Sequence, residues 1–103
     1  MSQRLDTLRN LVAQDPSDTR VRYMLCMELV NTGALEDAVT EFTALLTGDP
    51  NYGAAYYHGG QTLEKLGRKP EARALYARGI EATTRTGDGH TRGELQGALD
   101  MLG

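Results

Sequence analysis

The sequence predicts an all-α protein, a right-handed α-solenoid of antiparallel helix pairs. Three observations predict it. The chain matches itself at a shift of 34 residues, its apolar residues recur at helical rather than alternating spacing, and glycines and prolines fall where helices should end.

The repeat is the strongest signal. At the 34-residue shift Asp15-Pro16 meets Asp49-Pro50, Tyr23 meets Tyr57, Leu29 meets Leu63, Gly33 meets Gly67 and Ala38 meets Ala72. Asp37 with Glu71, Phe42 with Tyr76 and Leu46 with Ile80 are conservative pairs, and Leu8, Leu11 and Val12 extend the match upstream onto Phe42, Leu45 and Leu46. The first piece, residues 2–16, carries Leu5, Leu8, Leu11 and Val12 and corresponds to the second helix of a unit whose first helix is missing.

Residues 18–50 form the first whole unit. Ser17 or Asp18 can cap its first helix by accepting a hydrogen bond from a free backbone N–H. Val21, Leu25 and Leu29 follow at one-turn spacing, and Gly33 ends the helix. Leu35, Ala38, Val39, Phe42, Leu45 and Leu46 make the stripe of a second helix, which Gly48-Asp49-Pro50 stops. Residues 51–86 repeat the plan, with Asn51 as candidate cap, Gly67 as turn and Pro70 at a helix start, where proline is tolerated. Ala72, Leu75, Tyr76, Gly79 and Ile80 form its second stripe, and small residues such as Gly59 and Gly60 allow close helix approach. Residues 89–102 leave the repeat but space Leu95, Ala98, Leu99 and Leu102 as one helical face, suited to cap the apolar side of the last unit. The expectation is one domain, residues 1–103, of two and a half repeats plus a capping helix. Met1 and that last helix point to a complete chain.

Composition narrows the function classes. The formal charge of −3 is too mild to argue for nucleic acid. Tyr23 to Thr62 holds five acids and no Lys or Arg, while Lys65 to Arg92 holds seven basic residues against three acids. Such a bias reads either as solvated helix faces or as a dipolar surface that favours head-to-tail association or an acidic partner. A single cysteine, Cys26, rules out a disulfide within the chain and suits a reducing compartment. With no charged-then-apolar leader and no long apolar span, the expectation is a cytoplasmic protein without a membrane segment.

Together these residues resemble the tetratricopeptide repeat. Ala38-x3-Phe42 and Ala72-x3-Tyr76 match its A-x3-F element, and Pro16 and Pro50 its closing proline. Its W-x2-L-G-x2-Y element is met loosely by Arg22, Leu25, Cys26 and Leu29, and by Tyr56, Gly59, Gly60 and Leu63. Arg22 in an aromatic slot should weaken the seam of the first unit. Thr84 stands where the second unit's proline belongs, so that helix should run on toward Arg85. The last helix looks like the polar-studded cap of small stand-alone bacterial members.

The resemblance implies a concave groove, lined by the first helix of each unit, that holds a peptide or a partner's helix. Its residues here are Arg20, Tyr23, Met27, Val30 and Asn31 from the first unit and Ala54, Tyr57, Gln61, Glu64 and Lys65 from the second. Some members clamp a partner's C-terminal carboxylate with paired Lys and Asn. Tyr23 and Met27 stand at the first-unit places, which argues against that clamp.

Candidate chemistry is sparse. His58 and His90 have no neighbouring nucleophile and carboxylate, so no catalytic role is expected. Cys26 falls in a packing slot and should be a buried, inert thiol. Gly59-Gly60 lacks the lysine and strand of a phosphate loop. No metal or cofactor is expected. Tyr23, Met27 and Tyr57 are either binding anchors, as large adaptable side chains often are, or simply core, while Tyr52 and Tyr56 suit packing between helices. Three functions stay open: an adaptor for a peptide or partner helix, a self-association module forming a homodimer, and a non-catalytic accessory subunit. The sequence leaves the partner's identity open.

Overall fold

Helix punctuation in the sequence translates directly into backbone geometry. The computed structural model describes residues 3–103, so Ser2, at the edge of the expected half unit, lies outside them. Six helices follow one another: α1 (Gln3–Gln14), α2 (Thr19–Asn31), α3 (Leu35–Gly48), α4 (Gly53–Lys65), α5 (Lys69–Thr86) and α6 (Gly89–Leu102). Connections of two to four residues leave consecutive helices no course but antiparallel packing.

Asp18 is the cap of α2; its carboxylate accepts from the N–H groups of Arg20 and Val21. Gly33 and Gly67 adopt φ of 83° and 76°, the left-handed region that ends a helix without strain in glycine. The next amide in each case closes the motif, Ala34 N–H donating to Leu29 O and Arg68 N–H to Leu63 O, both at 2.9 Å. Pro70 sits in the first turn of α5. That helix runs past Arg85 to Thr86, because Thr84 keeps the N–H a proline would lack.

Asn51 is a correction. It does not cap α4, whose preceding residue Tyr52 makes no side-chain cap either. The side chain of Asn51 instead accepts from Arg85, while Asp49 receives the Asn51 N–H and forms the turn.

The core runs the length of the stack. Leu8, Val12, Leu25, Cys26, Leu29, Ala38, Phe42, Leu45 and Leu46 are buried at one end, and Ala55, Tyr56, Leu63, Ala72, Tyr76, Ala82 and Leu95 at the other. Leu11 departs from its stripe. It is 42% exposed where its repeat counterpart Leu45 is 1% exposed, because α3 is packed against both α2 and α4 whereas α1, among the described helices, packs chiefly on α2. Close approach depends on glycine at two points. A Cβ on Gly60 would stand 2.6 Å from Tyr76 Cζ, and one on Gly79 would stand 2.6 Å from Tyr56 Cβ.

Arg22 also behaves otherwise than its slot suggests. In the second unit the Tyr56 hydroxyl donates to Pro50 O at 2.7 Å. In the first, Arg22 Nη2 donates to the equivalent carbonyl, Pro16 O, at 3.4 Å, and its Nη1 pairs with Glu41 at 2.6 Å. The guanidinium thus supplies a seam of its own where the aromatic would have stood.

The acidic run is largely neutralised. Arg4 pairs with Glu28, Arg9 with Asp37, Arg22 with Glu41 and Arg68 with Glu36. This pairing leaves little of the one-signed acidic surface that the sequence suggests.

Candidate functional site

The first helices of the units, α2 and α4, place their side chains by a simple rule. Residues that face the second helices are buried, as Leu25, Leu29, Tyr56 and Leu63 are. Those one position round the helix emerge on the opposite face. Tyr23, Met27 and Val30 of α2 and Ala54, Tyr57, Gln61 and Glu64 of α4 are half-buried there, while Arg20, Asn31 and Lys65 are exposed.

Aromatic rings join the two helices on this face. The Tyr23 ring lies 5.2 Å from that of Tyr52 and 6.1 Å from that of His58, and Tyr57 meets His58 edge-on at 5.2 Å. These separations fall within the range of favourable aromatic pairs. Burial raises the Tyr23 and Tyr52 hydroxyls above the usual phenol range, with neighbouring acidic groups adding to the effect. Burial likewise pushes the His58 imidazole below its usual value, although Glu94 and a hydrogen bond with Gln61 pull the other way. Burial thus biases His58 toward its neutral form, and the ring sits among tyrosines rather than beside a nucleophile.

Tyr56 packs between helices, as its spacing suggests. Tyr52 is less covered: its half-buried ring packs against the core and against Tyr23 of α2, and so joins the aromatic cluster as well. His58 is the other member that sequence reasoning missed. The available signal was its position next to Tyr57, within reach of Tyr23 once the helices are stacked at the repeat shift.

Helix α6 supplies a third wall. Between α4 and α6 lies a cleft of about 440 Å³, lined by Tyr57, Gln61 and Glu64 on one side and by Gly93, Glu94 and Met101 among others on the other. Glu64 is tied into the fold, since the buried Tyr76 hydroxyl donates to its carboxylate. That bond and burial together raise the Tyr76 hydroxyl far above its ordinary value. Lys65 lines a neighbouring hollow with Gln61 and Glu64.

Another cleft, of about 320 Å³, lies on the opposite side between α3 and α5, floored by Phe42, Leu46, Gly59, Leu63 and Leu75. Its rim is occupied: Glu71 is held by Arg68, and Arg78 lies 5.7 Å over the ring of Tyr56.

Cys26 is fully buried, and loss of hydration pushes its thiol up to about 12, with Glu41 adding to the rise. A thiol so placed is no nucleophile near neutral pH. His90 stands apart on α6, 3.8 Å from Glu94 and largely in solvent. Among the described residues no group of three His, Cys, Asp or Glu could hold a metal ion, and no helix is long and apolar enough to cross a membrane.

The whole arrangement resembles solved structures. A tetratricopeptide repeat domain protein from Salinibacter ruber, known from a solution structure, is 35% identical, with a TM-score of 0.81 over 85% of this chain and 89% of that one. The chain belongs to the tetratricopeptide repeat family. A protein from Bordetella parapertussis shares the fold at a TM-score of 0.83 and 27% identity, over 99% of this chain and 89% of that one. YrrB, described as a tetratricopeptide repeat protein with an unusual peptide-binding site, aligns at a TM-score of 0.81 and 25% identity, over 93% of this chain and 46% of that one. No family model matches the chain, and no curated protein does. Each helix packs on the next along the chain, and α6 packs on both α4 and α5. The fold is that of a protein-interaction module.

Proposed function

We propose that this tetratricopeptide protein is a single-domain, non-catalytic adaptor that binds an extended peptide or a partner's helix along the face shared by α2, α4 and α6. It works in the cytoplasm of a bacterium. The observation that carries the reading is the half-buried cluster of Tyr23, Tyr52, Tyr57 and His58, which joins two repeat units in one continuous aromatic surface. Such rings offer large contact area at low entropic cost, and interface energy concentrates in a few anchors. Met27 and Val30 extend the apolar strip along α2, and Arg20, Asn31 and Lys65 form a polar rim. The likeness to YrrB supports a peptide as ligand.

The test is a double replacement, Tyr23→Ala with Tyr57→Ala. Affinity for a partner captured from the native extract should fall at least about 30-fold, since two anchors of this kind contribute on the order of 2 kcal/mol or more. Circular dichroism should stay helical, and Glu36→Ala on the far side should change little. A double variant that folds and binds at wild-type strength rules out the groove.

Self-association is the alternative, and one observation favours it. Leu11 of α1 and Met24 of α2 are large apolar side chains left 42% exposed, a surface that a second copy would cover. A mass in light scattering that doubles with concentration, and a binding face mapped to α1, would support it.

A further inference from the structure

The cleft between α4 and α6 differs in chemistry from the rest of the groove. Two carboxylates line it, Glu64 and Glu94, and no lysine or arginine does. Glu64 is fixed by the Tyr76 hydroxyl on one side, so its position does not depend on a ligand. Glu94 is 43% exposed, and among the described residues its ion-pair partner is the solvent-facing His90 at 3.8 Å, one turn away. The Tyr57 ring forms part of the same wall. The opposite wall is low, because Gly93 and Gly97 carry no side chain, and a Cβ at either would meet nothing within 4 Å. The cleft, of about 440 Å³, is open to solvent along its length, so a side chain of a docked segment could enter it from outside.

The field reaches beyond the cleft. Glu94 adds to the rise of the Tyr23 hydroxyl and opposes the lowering that burial imposes on the His58 imidazole. Lys65 lines the adjoining hollow instead.

The geometry points to a partner segment that carries an arginine or lysine, its cationic head seated between Glu64 and Glu94 and its stem against Tyr57 and Met101. This rests on the proposed peptide groove and specifies what that groove accepts. A cation there gains charge-assisted hydrogen bonds and the face or edge of an aromatic ring together. An apolar occupant would strip water from Glu94 without replacing it, and an acidic one would meet two like charges. The arrangement therefore selects by penalty as well as by attraction.

A random dodecapeptide library displayed on phage, selected on the full chain, tests this. Enriched peptides should share a basic residue next to an aliphatic or aromatic one. In a synthetic copy, changing that residue to citrulline or norleucine should weaken binding at least tenfold. Glu94→Gln should weaken the parent peptide similarly, and should remove most of the difference between the parent and the neutral peptide. Enriched peptides that lack a shared basic residue, yet lose binding to Tyr23→Ala with Tyr57→Ala, overturn the cation site and leave the groove standing. Peptides indifferent to both sets of changes, or no enrichment at all, overturn the cation site and the groove together.

Discussion

Gly60→Ala should lower the unfolding temperature, by up to roughly 15 °C, although alanine is the better helix former. Two effects oppose each other. Replacing glycine by alanine within a helix favours the fold by about 1 kcal/mol. At position 60, however, the new methyl group would stand 2.6 Å from Tyr76 Cζ and closer still to the ring edge. The ring has no room to retreat, because Tyr76 is fully buried and its hydroxyl is bonded to Glu64. Overpacking of this kind costs about 1–3 kcal/mol, at times more, and each kcal/mol shifts melting by roughly 4–8 °C in a domain this size. Gly97→Ala is the internal control. It lies in α6 with nothing within 4 Å of its Cβ, so the same substitution should raise stability there. Thermal melts of the two variants should move in opposite directions. A Gly60→Ala variant as stable as wild type would mean that α4 and α5 pack in another register.

Deletion of residues 89–103 should have a larger effect. Leu95 is completely buried and its Cδ1 would lie 2.9 Å from a Cβ on Gly79, so α6 seals the gap that glycine opens in α5. Loss of a single buried leucine side chain costs about 2–5 kcal/mol, and the truncation removes Ala98, Leu99 and Leu102 as well. It also bares Tyr56, Gly79 and Ala82, and stacked repeats with an uncovered apolar end associate. The shortened chain should melt far below wild type and grow in mass with concentration. A truncated chain that is monomeric and equally stable would show that α6 is not a cap.

Much of this architecture was legible because its cause is local. Helix ends at Gly33 and Gly67 need a left-handed residue, and glycine announces one. The alanines and glycines of the packing slots, Ala38, Ala72, Gly60 and Gly79, betray close approach because nothing larger fits. What escaped depends on residues far apart in sequence. Arg22 looked out of place until Glu41 and the Pro16 carbonyl were found around it. The acidic run from Glu28 to Glu41 looked one-signed because its arginine partners stand on α1, α2 and the loop before α5.

Only part of the face proposed as a groove could be read from the repeat. The repeat register points to Tyr23 and Tyr57, since equivalent positions on stacked helices share a face. It could not point to Gly93, Glu94 and Met101. Helix α4 begins 34 residues after α2, but α5 is longer than α3, and α6 begins 36 residues after α4. The slip breaks the self-match at α6, the helix that lines the far side of the cleft beside α4. Tyr52 and His58 escaped for another reason: they lie beside the anchors rather than in register with them.

Backbone amide shift mapping of the labelled chain with a bound peptide tests the central claim most directly. The account predicts changes confined to α2, α4 and α6, strongest at Tyr23, Tyr57, Gln61, Gly93 and Gly97, with Thr43, Thr47 and Ala74 of the opposite cleft unmoved. Changes centred on that opposite cleft, with the tyrosine face silent, would contradict it.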